Sequence, residues 1–176
     1  MPLTPPVSEK DHIQGSPDAP IELLEYGDYQ CPHCGRAYPI VKKIQEQLGD
    51  KVRLVFRNFP LTKIHPQAKM AALATEAADL QGKYWEMHDL VFENQKRLHH
   101  TALKEYAQSL GLNIDQFDQD LNREDLAEKV ENHFYSGMRS GVNATPTFFI
   151  NGEKYTESWE GDDLLNYLKN YFASKP

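Results

Sequence analysis

The chain has 176 residues, of which 40% are hydrophobic and 26% charged, and its formal net charge is -7. This length is enough for one domain with a substantial hydrophobic core. Because the charge is negative, we expect neither nucleic acid nor an anionic membrane surface as a partner. The two cysteines, Cys31 and Cys34, are too few for a disulfide-rich scaffold or a four-cysteine zinc site.

Signals for export or membrane insertion are missing from the sequence as written. The first twenty residues contain five prolines and no apolar run of the kind found in signal peptides. Apolar runs elsewhere are far shorter than the roughly 20 residues needed to cross a bilayer. The sequence therefore predicts a cytoplasmic protein without membrane insertion, with an exported protein as the alternative if a leader was removed.

The first half of the chain has a strand–helix–strand pattern. The apolar run Ile21–Tyr26 predicts a short buried strand. Helical spacing of apolar residues predicts a helix over Pro32–Leu48, where proline suits the first turn. Alternation over Lys51–Phe59 predicts a second strand, which Pro60 ends.

The segment from Leu61 to Gly141 contains no strand pattern, and its apolar residues recur at helical spacing in five successive stretches. Strand signals return at Thr147–Ile150. The following Asn151–Gly152 predicts a tight hairpin turn, because Asn-Gly readily adopts positive φ angles. A last helix is predicted from about Asp162. The predicted order is therefore β-α-β, a helical block, then β-β-α.

The sequence Cys31-Pro32-His33-Cys34 joins the first predicted strand to a helix. Unpaired N–H groups at a helix start favour the thiolate form of a cysteine, and a protonated His33 adds a positive neighbour. A pKa lowered by about 3 favours the thiolate by about 4 kcal/mol, and makes the disulfide more oxidising by roughly 90 mV. We expect Cys31 to be the exposed, reacting sulfur and Cys34 the shielded one. A pair of buried, unreactive cysteines is the alternative, and we expect no metal site.

Glu25 stands at the end of the first strand, where a buried carboxylate is costly without a partner or a purpose. Beneath a dithiol it could exchange a proton with Cys34 through a water, and burial would then raise its pKa. The alternatives are a side chain that points to solvent, or an ion pair with Lys42 or Lys43.

Thr145–Pro146 precedes the late strand, where proline marks an edge or a special turn because it cannot donate to a ladder. A cis bond is found in only about 5–6% of X–Pro bonds in folded proteins, so composition alone favours trans.

Three segments carry a family resemblance: EYGDYQCPHCGRAYP, KYWEMHDLVFENQ and GVNATPTFFING. With the CPHC motif at a helix start, Pro39 beyond it and a late Thr-Pro before a hairpin, the chain resembles the thioredoxin fold. Its helical block resembles the DsbA-like branch, which includes bacterial proteins that stand alone or are joined to sodium/proton antiporters. The resemblance implies an α/β thioredoxin fold with a helical insertion between the β-α-β and β-β-α halves. It implies one domain over residues 1–176, with a core at about 17–60 and 141–173 and an insertion at about 61–140.

The resemblance also implies roles for individual residues. Cys31 would be the nucleophile, Cys34 the resolving thiol, and His33, within the motif that includes Pro32, would tune the thiolate. Glu25 matches the family's buried acid. The family's cis-proline loop, which pairs with an extended substrate, corresponds to Ala144, Thr145 and Pro146.

These observations predict a thiol:disulfide oxidoreductase that acts on protein thiols and disulfides through a Cys31–Cys34 disulfide. We expect a monomer without a bound cofactor, regenerated by a redox partner. The CPHC motif favours an oxidase, whereas a cytoplasmic location favours a disulfide reductase or isomerase. The alternative from another class is a redox-regulated chaperone or binding module of the same fold.

Overall fold

The computed structural model describes residues 2–174 and the side chains of residues 2–171, so both predicted domain ends, residues 1 and 175–176, lie outside the described residues. The described elements follow the predicted order, with one strand added at the start. The elements of the first half are β1 (His12–Gly15), β2 (Ile21–Gly27), α1 (Pro32–Leu48) and β3 (Val52–Asn58).

The helical block follows β3, and a hairpin and a last helix complete the fold. The helices of the block are α2 (Ala68–Asp79), α3 (Tyr84–Glu93), α4 (His100–Ser109), α5 (Ile114–Asp120) and α6 (Glu124–Arg139). The final elements are β4 (Thr147–Ile150), β5 (Glu153–Lys154) and α7 (Asp163–Ser174).

The described strands form one mixed sheet in the order β1-β3-β2-β4-β5. Strands β2 and β3 are parallel, as the α1 crossover requires, and the other pairs are antiparallel. The β4–β5 turn has the predicted geometry, with φ of 48° at Asn151 and 84° at Gly152. The predicted thioredoxin fold with a helical insertion is confirmed.

Strand β1 was not predicted, because its four residues show neither an apolar run nor alternation. It pairs antiparallel with β3, where His12 lies opposite Phe56. The preceding segment is held by the Arg57 guanidinium, which donates to Asp11 at 2.8 Å and to the Pro5 carbonyl at 3.1 Å. The proline-rich lead is therefore packed on the sheet, from a bridge between Pro2 and Glu153 of β5 to the ion pair of Asp11 with Arg57 of β3.

The two packed layers on the sheet bring the end of β2, the start of α1 and the segment before β4 together. Helix α1 packs with α7 on one face, through residues such as Ile44 and Leu168. The insertion forms its own core, which includes Cys31 and Cys34. The end of β2, the start of α1 and the approach to β4 thus meet at one edge of the insertion.

Candidate active site

Cys31 is the N-cap residue of α1, with extended backbone (φ -68°, ψ 124°) and no side-chain cap. Cys34 lies within the first turn, and both cysteines are free thiols in this structure. Cys34 is 0% exposed, as predicted, but Cys31 is only 4% exposed, so the expectation of an exposed Cys31 is wrong. The reason is that the insertion core and the loop before β4 cover the helix start, with the Thr145 carbonyl oxygen 3.7 Å from the Cys31 sulfur.

The environment of Cys31 lowers its pKa from the usual 9.0 to about 5. The largest cause is a hydrogen bond from the Cys34 thiol, which outweighs the opposing effect of burial. Thr145 and the backbone N–H groups of Cys34 and His33 also favour the thiolate. Cys31 is therefore ionised at neutral pH, as expected for a sulfur at a helix start.

Cys34 has the opposite character. Burial raises its pKa well above the usual 9.0, and the hydrogen bond to Cys31 and the negative charge of Glu25 act in the same direction. The backbone N–H of Asp28 donates to its sulfur at 3.5 Å. The pair thus holds one thiolate and one protonated thiol that donates to it.

Glu25 is 4% exposed, and its Oε2 has no hydrogen-bond partner among the described residues. Burial, and next the negative charge of Cys31, raise its pKa from 4.5 to about 8. Gly27, two residues later on the same face of β2, leaves room for this carboxylate, since a Cβ there would lie 2.9 Å from Oε2. Glu25 is thus a buried acid that keeps its proton at neutral pH.

The alternative partners predicted for Glu25 are wrong. Lys42 pairs with Asp89 at 2.9 Å and Lys43 with Asp162 at 2.8 Å. Lys42 points to α3 and Lys43 to the segment before α7, so neither pairs with the carboxylate at the end of β2.

The Thr145–Pro146 peptide bond is cis. Thr145 is buried against Cys31, whereas Ala144 is exposed and Pro146 half-buried. The Ala144 carbonyl already accepts a hydrogen bond from the Thr147 hydroxyl at 2.7 Å. The contact between Thr145 and Cys31 places the predicted substrate loop beside the redox motif.

Pro32 and His33 are both exposed at the start of α1. The backbone N–H of His33 is one of the groups that lower the pKa of Cys31, as described above. The effect of a charged His33 imidazole stays a prediction.

Asp28 is a site residue that the sequence reasoning missed. Its Oδ1 accepts from the N–H groups of Gln30 at 2.8 Å and Cys31 at 3.1 Å. Its Oδ2 accepts from the Leu61 N–H and from Nδ1 of His65, both at 2.8 Å. The signal was available, because an aspartate two or three residues before a helix start often bonds the following N–H groups.

Gln95, just beyond α3, was also missed. Its side-chain amide donates to the carbonyls of Tyr29 and Cys31, both at 2.9 Å. No local pattern in the sequence marks such a contact.

Among the described residues, one group of potential metal ligands lies away from the cysteines, at His12, Glu76 and Asp79. The Lys129 ammonium bonds Oε1 of Glu76 at 2.8 Å, and Nε2 of His12 lies 2.9 Å from Oε2. Because a cation already occupies the carboxylate, the geometry is that of a buried ion-pair network.

The comparisons with known proteins agree with this geometry. The protein-family description "Thioredoxin" matches residues 7–170. The chain belongs to the DsbA-like branch of the thioredoxin superfamily. The predicted resemblance and the predicted enzyme class, a thiol:disulfide oxidoreductase, are confirmed by this match and by the solved structures described next.

Two solved structures show how far the DsbA-like fold extends. BdbD from Bacillus subtilis, in its oxidised form, has a TM-score of 0.83 at 24% identity, with 96% of each chain covered. Alpha-DsbA1 from Wolbachia pipientis has a TM-score of 0.77 at 26% identity, with 96% of this chain and 92% of that chain covered. The likeness therefore includes the helical insertion as well as the thioredoxin core.

Curated relatives include longer proteins. Na(+)/H(+) antiporter NhaA 1 of Mycobacterium sp. (strain KMS) is 40% identical over 163 residues, which are 92% of this chain and 27% of the antiporter. The chain thus spans about a quarter of the length of these relatives. Within residues 2–174, none of the helices is long and apolar enough to cross a bilayer.

Proposed function

We propose that this DsbA-like chain oxidises protein dithiols through Cys31 and Cys34. The observation that carries the proposal is the low pKa of Cys31, about 5, beside a Cys34 whose pKa is raised. A stabilised thiolate favours the reduced form of the pair. The disulfide then accepts electrons readily. Its reduction potential rises by about 30 mV for each tenfold gain in the equilibrium constant for reduction.

The exchange has two steps. A substrate thiolate attacks the Cys31 sulfur of the disulfide, the Cys31–Cys34 bond breaks, and Cys34 leaves with the electron pair and gains a proton. A second substrate thiolate then attacks the substrate sulfur of the mixed disulfide and releases Cys31 as a thiolate. The substrate loses two electrons and gains a disulfide, while the Cys31–Cys34 pair is reduced.

Glu25 supplies the proton in the first step. Because the pKa of Cys34 is raised, its thiolate is a poor leaving group unless it is protonated as it departs. Glu25, with a pKa of about 8, carries a proton at neutral pH, and it lies close enough to Cys34 for its ionised form to raise the pKa of that thiol. It can therefore act as the general acid in oxidation and as the base in reduction.

The loop of Ala144, Thr145 and Pro146 would bind the substrate backbone as an added strand. This role is supported by the Thr145 carbonyl, which lies 3.7 Å from the Cys31 sulfur. A peptide beside this loop would bring its own sulfur to Cys31.

All the proposed groups come from one chain, so the account needs neither a second copy nor a cofactor beyond the dithiol. Turnover requires a partner that withdraws two electrons from Cys31 and Cys34, and we propose a second disulfide-bearing protein. Because disulfides persist in oxidising compartments, the direction of exchange also decides which compartment suits the protein.

The test uses the oxidised protein and a peptide with two thiols. Wild type should form the peptide disulfide, Cys31→Ser should be inactive, and Cys34→Ser should accumulate a mixed disulfide on Cys31 that mass spectrometry detects. Full activity of Cys31→Ser would rule out the assigned nucleophile. Efficient insulin reduction without peptide oxidation would show that the oxidising direction is wrong.

A further inference from the structure

Gln95 reaches from the helical insertion to the backbone of the redox motif. It follows α3, which ends at Glu93. Its Nε2 donates to the carbonyl oxygens of Tyr29 and Cys31, each at 2.9 Å. One side-chain amide therefore bridges two carbonyls, one on each side of Gln30, just before α1.

The same carboxamide lies against Gly35, the residue directly after Cys34. A Cβ at Gly35 would lie 2.0 Å from Oε1 of Gln95 and 2.6 Å from its Cδ. Gly35 is helical with ordinary backbone angles, so its glycine is explained by this close approach. The Gln95 side chain thus packs directly against the first turn of α1, in the space that the missing Cβ of Gly35 leaves.

Asp28 binds the same segment from its N–H side. Its Oδ1 accepts from the N–H groups of Gln30 and Cys31, at 2.8 and 3.1 Å. At the Tyr29–Gln30 peptide, Gln95 therefore bonds the carbonyl while Asp28 bonds the N–H. The second Gln95 bond is to the Cys31–Pro32 peptide, which has no N–H of its own. The orientation of the peptide planes before α1 is thereby fixed by two side chains.

We propose that Gln95 is a positioning residue for the redox site, which holds the Tyr29–Cys31 backbone so that the N–H groups of the α1 start face the Cys31 sulfur. The inference rests on the proposed function for its relevance to exchange. Its physical content, a link between the Gln95 amide and the Cys31 thiolate, can be measured without a substrate. A tilt of the Cys31–Pro32 peptide would shift the first turn of α1, turn the N–H groups of His33 and Cys34 away from the sulfur and weaken their hydrogen bonds.

The first experiment titrates Cys31 by its thiolate absorbance in reduced wild type and in Gln95→Met, which keeps the length but removes the donors. We expect the pKa of Cys31 to rise by about 1, so that the ratio of thiolate to thiol at a given pH falls about tenfold. The redox potential should become more reducing by about 30 mV, which is the same tenfold factor in a two-electron couple.

The matched control is Gln81→Met. Gln81 also lies in the insertion and donates its amide to a backbone carbonyl, that of Asn113 at 3.2 Å, but it contacts neither cysteine. Its substitution should leave the titration unchanged. A Gln95→Met protein that titrates like wild type would overturn the proposal, and so would an equal shift in Gln81→Met.

The second experiment uses the contact with Gly35 and protects the test against misfolding of one variant. Gly35→Ala should displace the carboxamide and raise the pKa of Cys31 as Gln95→Met does. In a Gln95→Ala background, Gly35→Ala should cause no further rise, because the clashing atoms are gone. Equal effects of Gly35→Ala in both backgrounds would show that the contact is not the cause.

These readouts separate the two claims. If the Cys31 titration shifts in Gln95→Met but the wild type lacks exchange activity, the role of Gln95 is sustained and the proposed function is refuted. If the wild type is active but Gln95→Met titrates like it, the proposed function is sustained and the role of Gln95 is refuted.

Discussion

Two glutamates are buried to nearly the same extent in this protein, Glu25 at 4% and Glu76 at 1% exposed, but their surroundings differ. Glu76 accepts from His12 at 2.9 Å, from Lys129 at 2.8 Å and from Asn58 at 3.3 Å. Its pKa is lowered from 4.5 to about 2, although burial alone raises it. Glu25 has an unpartnered Oε2 and a pKa raised to about 8.

The difference shows that partners, and not burial, decide whether a buried acid is charged. Glu76 is an anion that holds α2, α6 and the β1 edge together. Glu25 is a neutral acid next to two sulfurs, and none of the described residues compensates its ionisation. An uncompensated buried acid costs stability, which is the usual mark of a functional site.

The largest effect is expected for Glu76→Gln, which leaves Lys129 and His12 without their carboxylate. Breaking a buried pair from one side costs about 3–5 kcal/mol. Because the pKa of Glu76 is lowered, its contribution is fully present above pH 4.5 and is lost as pH falls toward 2. Denaturant unfolding at several pH values measures this loss, and equal stability of variant and wild type at pH 7 would contradict the account.

The same substitution at Glu25 should increase the stability of the protein, whereas Glu76→Gln decreases it. Because the folded pKa is raised to about 8, the cost of Glu25 appears as pH rises from 4.5 to 8. We expect reduced Glu25→Gln to be more stable than wild type by about 3 kcal/mol at pH 7, and equally stable at pH 4. Unfolding of the reduced proteins tests this; a destabilised variant at pH 8 would indicate a partner for the carboxylate.

An effect on ionisation, with little effect on stability, is expected at the cysteines. Because the hydrogen bond from Cys34 is the largest cause of the low pKa of Cys31, Cys34→Ala should raise that pKa from about 5 toward 9. Cys34→Ser, whose hydroxyl can donate, should raise it less. The pH dependence of Cys31 alkylation measures both, and identical midpoints for the two variants would exclude a role for the donor.

The smallest effect is expected for an exposed ion pair. Arg97 lies 2.9 Å from Glu105, a separation close to that of Lys129 and Glu76, but both side chains are more than half exposed. Arg97→Ala should change the free energy of unfolding by less than about 1 kcal/mol. A loss comparable to that of Glu76→Gln would show that burial is not what separates the two pairs.

The sequence predicted those parts of the site that have local signals. CPHC at a strand–helix junction, an acid in an apolar strand and a proline before a hairpin are each readable from neighbouring residues. Strand β1 was missed because pairing with β3, and not its own pattern, makes it a strand. Gln95 was missed because its partner Cys31 is 64 residues away in the chain, and only the fold brings them together.

The same limit explains the error about Cys31. A cysteine at a helix start is exposed in an isolated helix, but here the insertion and the Thr145 loop cover it. Glu76 shows the limit in another form. Its partners come from β1 and α6, which no local pattern could join to α2.

The central claim is that the site stabilises the reduced pair and so makes the disulfide oxidising. An equilibrium titration of the wild-type dithiol against glutathione tests it most directly. The account predicts a potential well above that of thioredoxin, toward about -120 mV. A potential near about -270 mV would contradict it and identify the protein as a reductase.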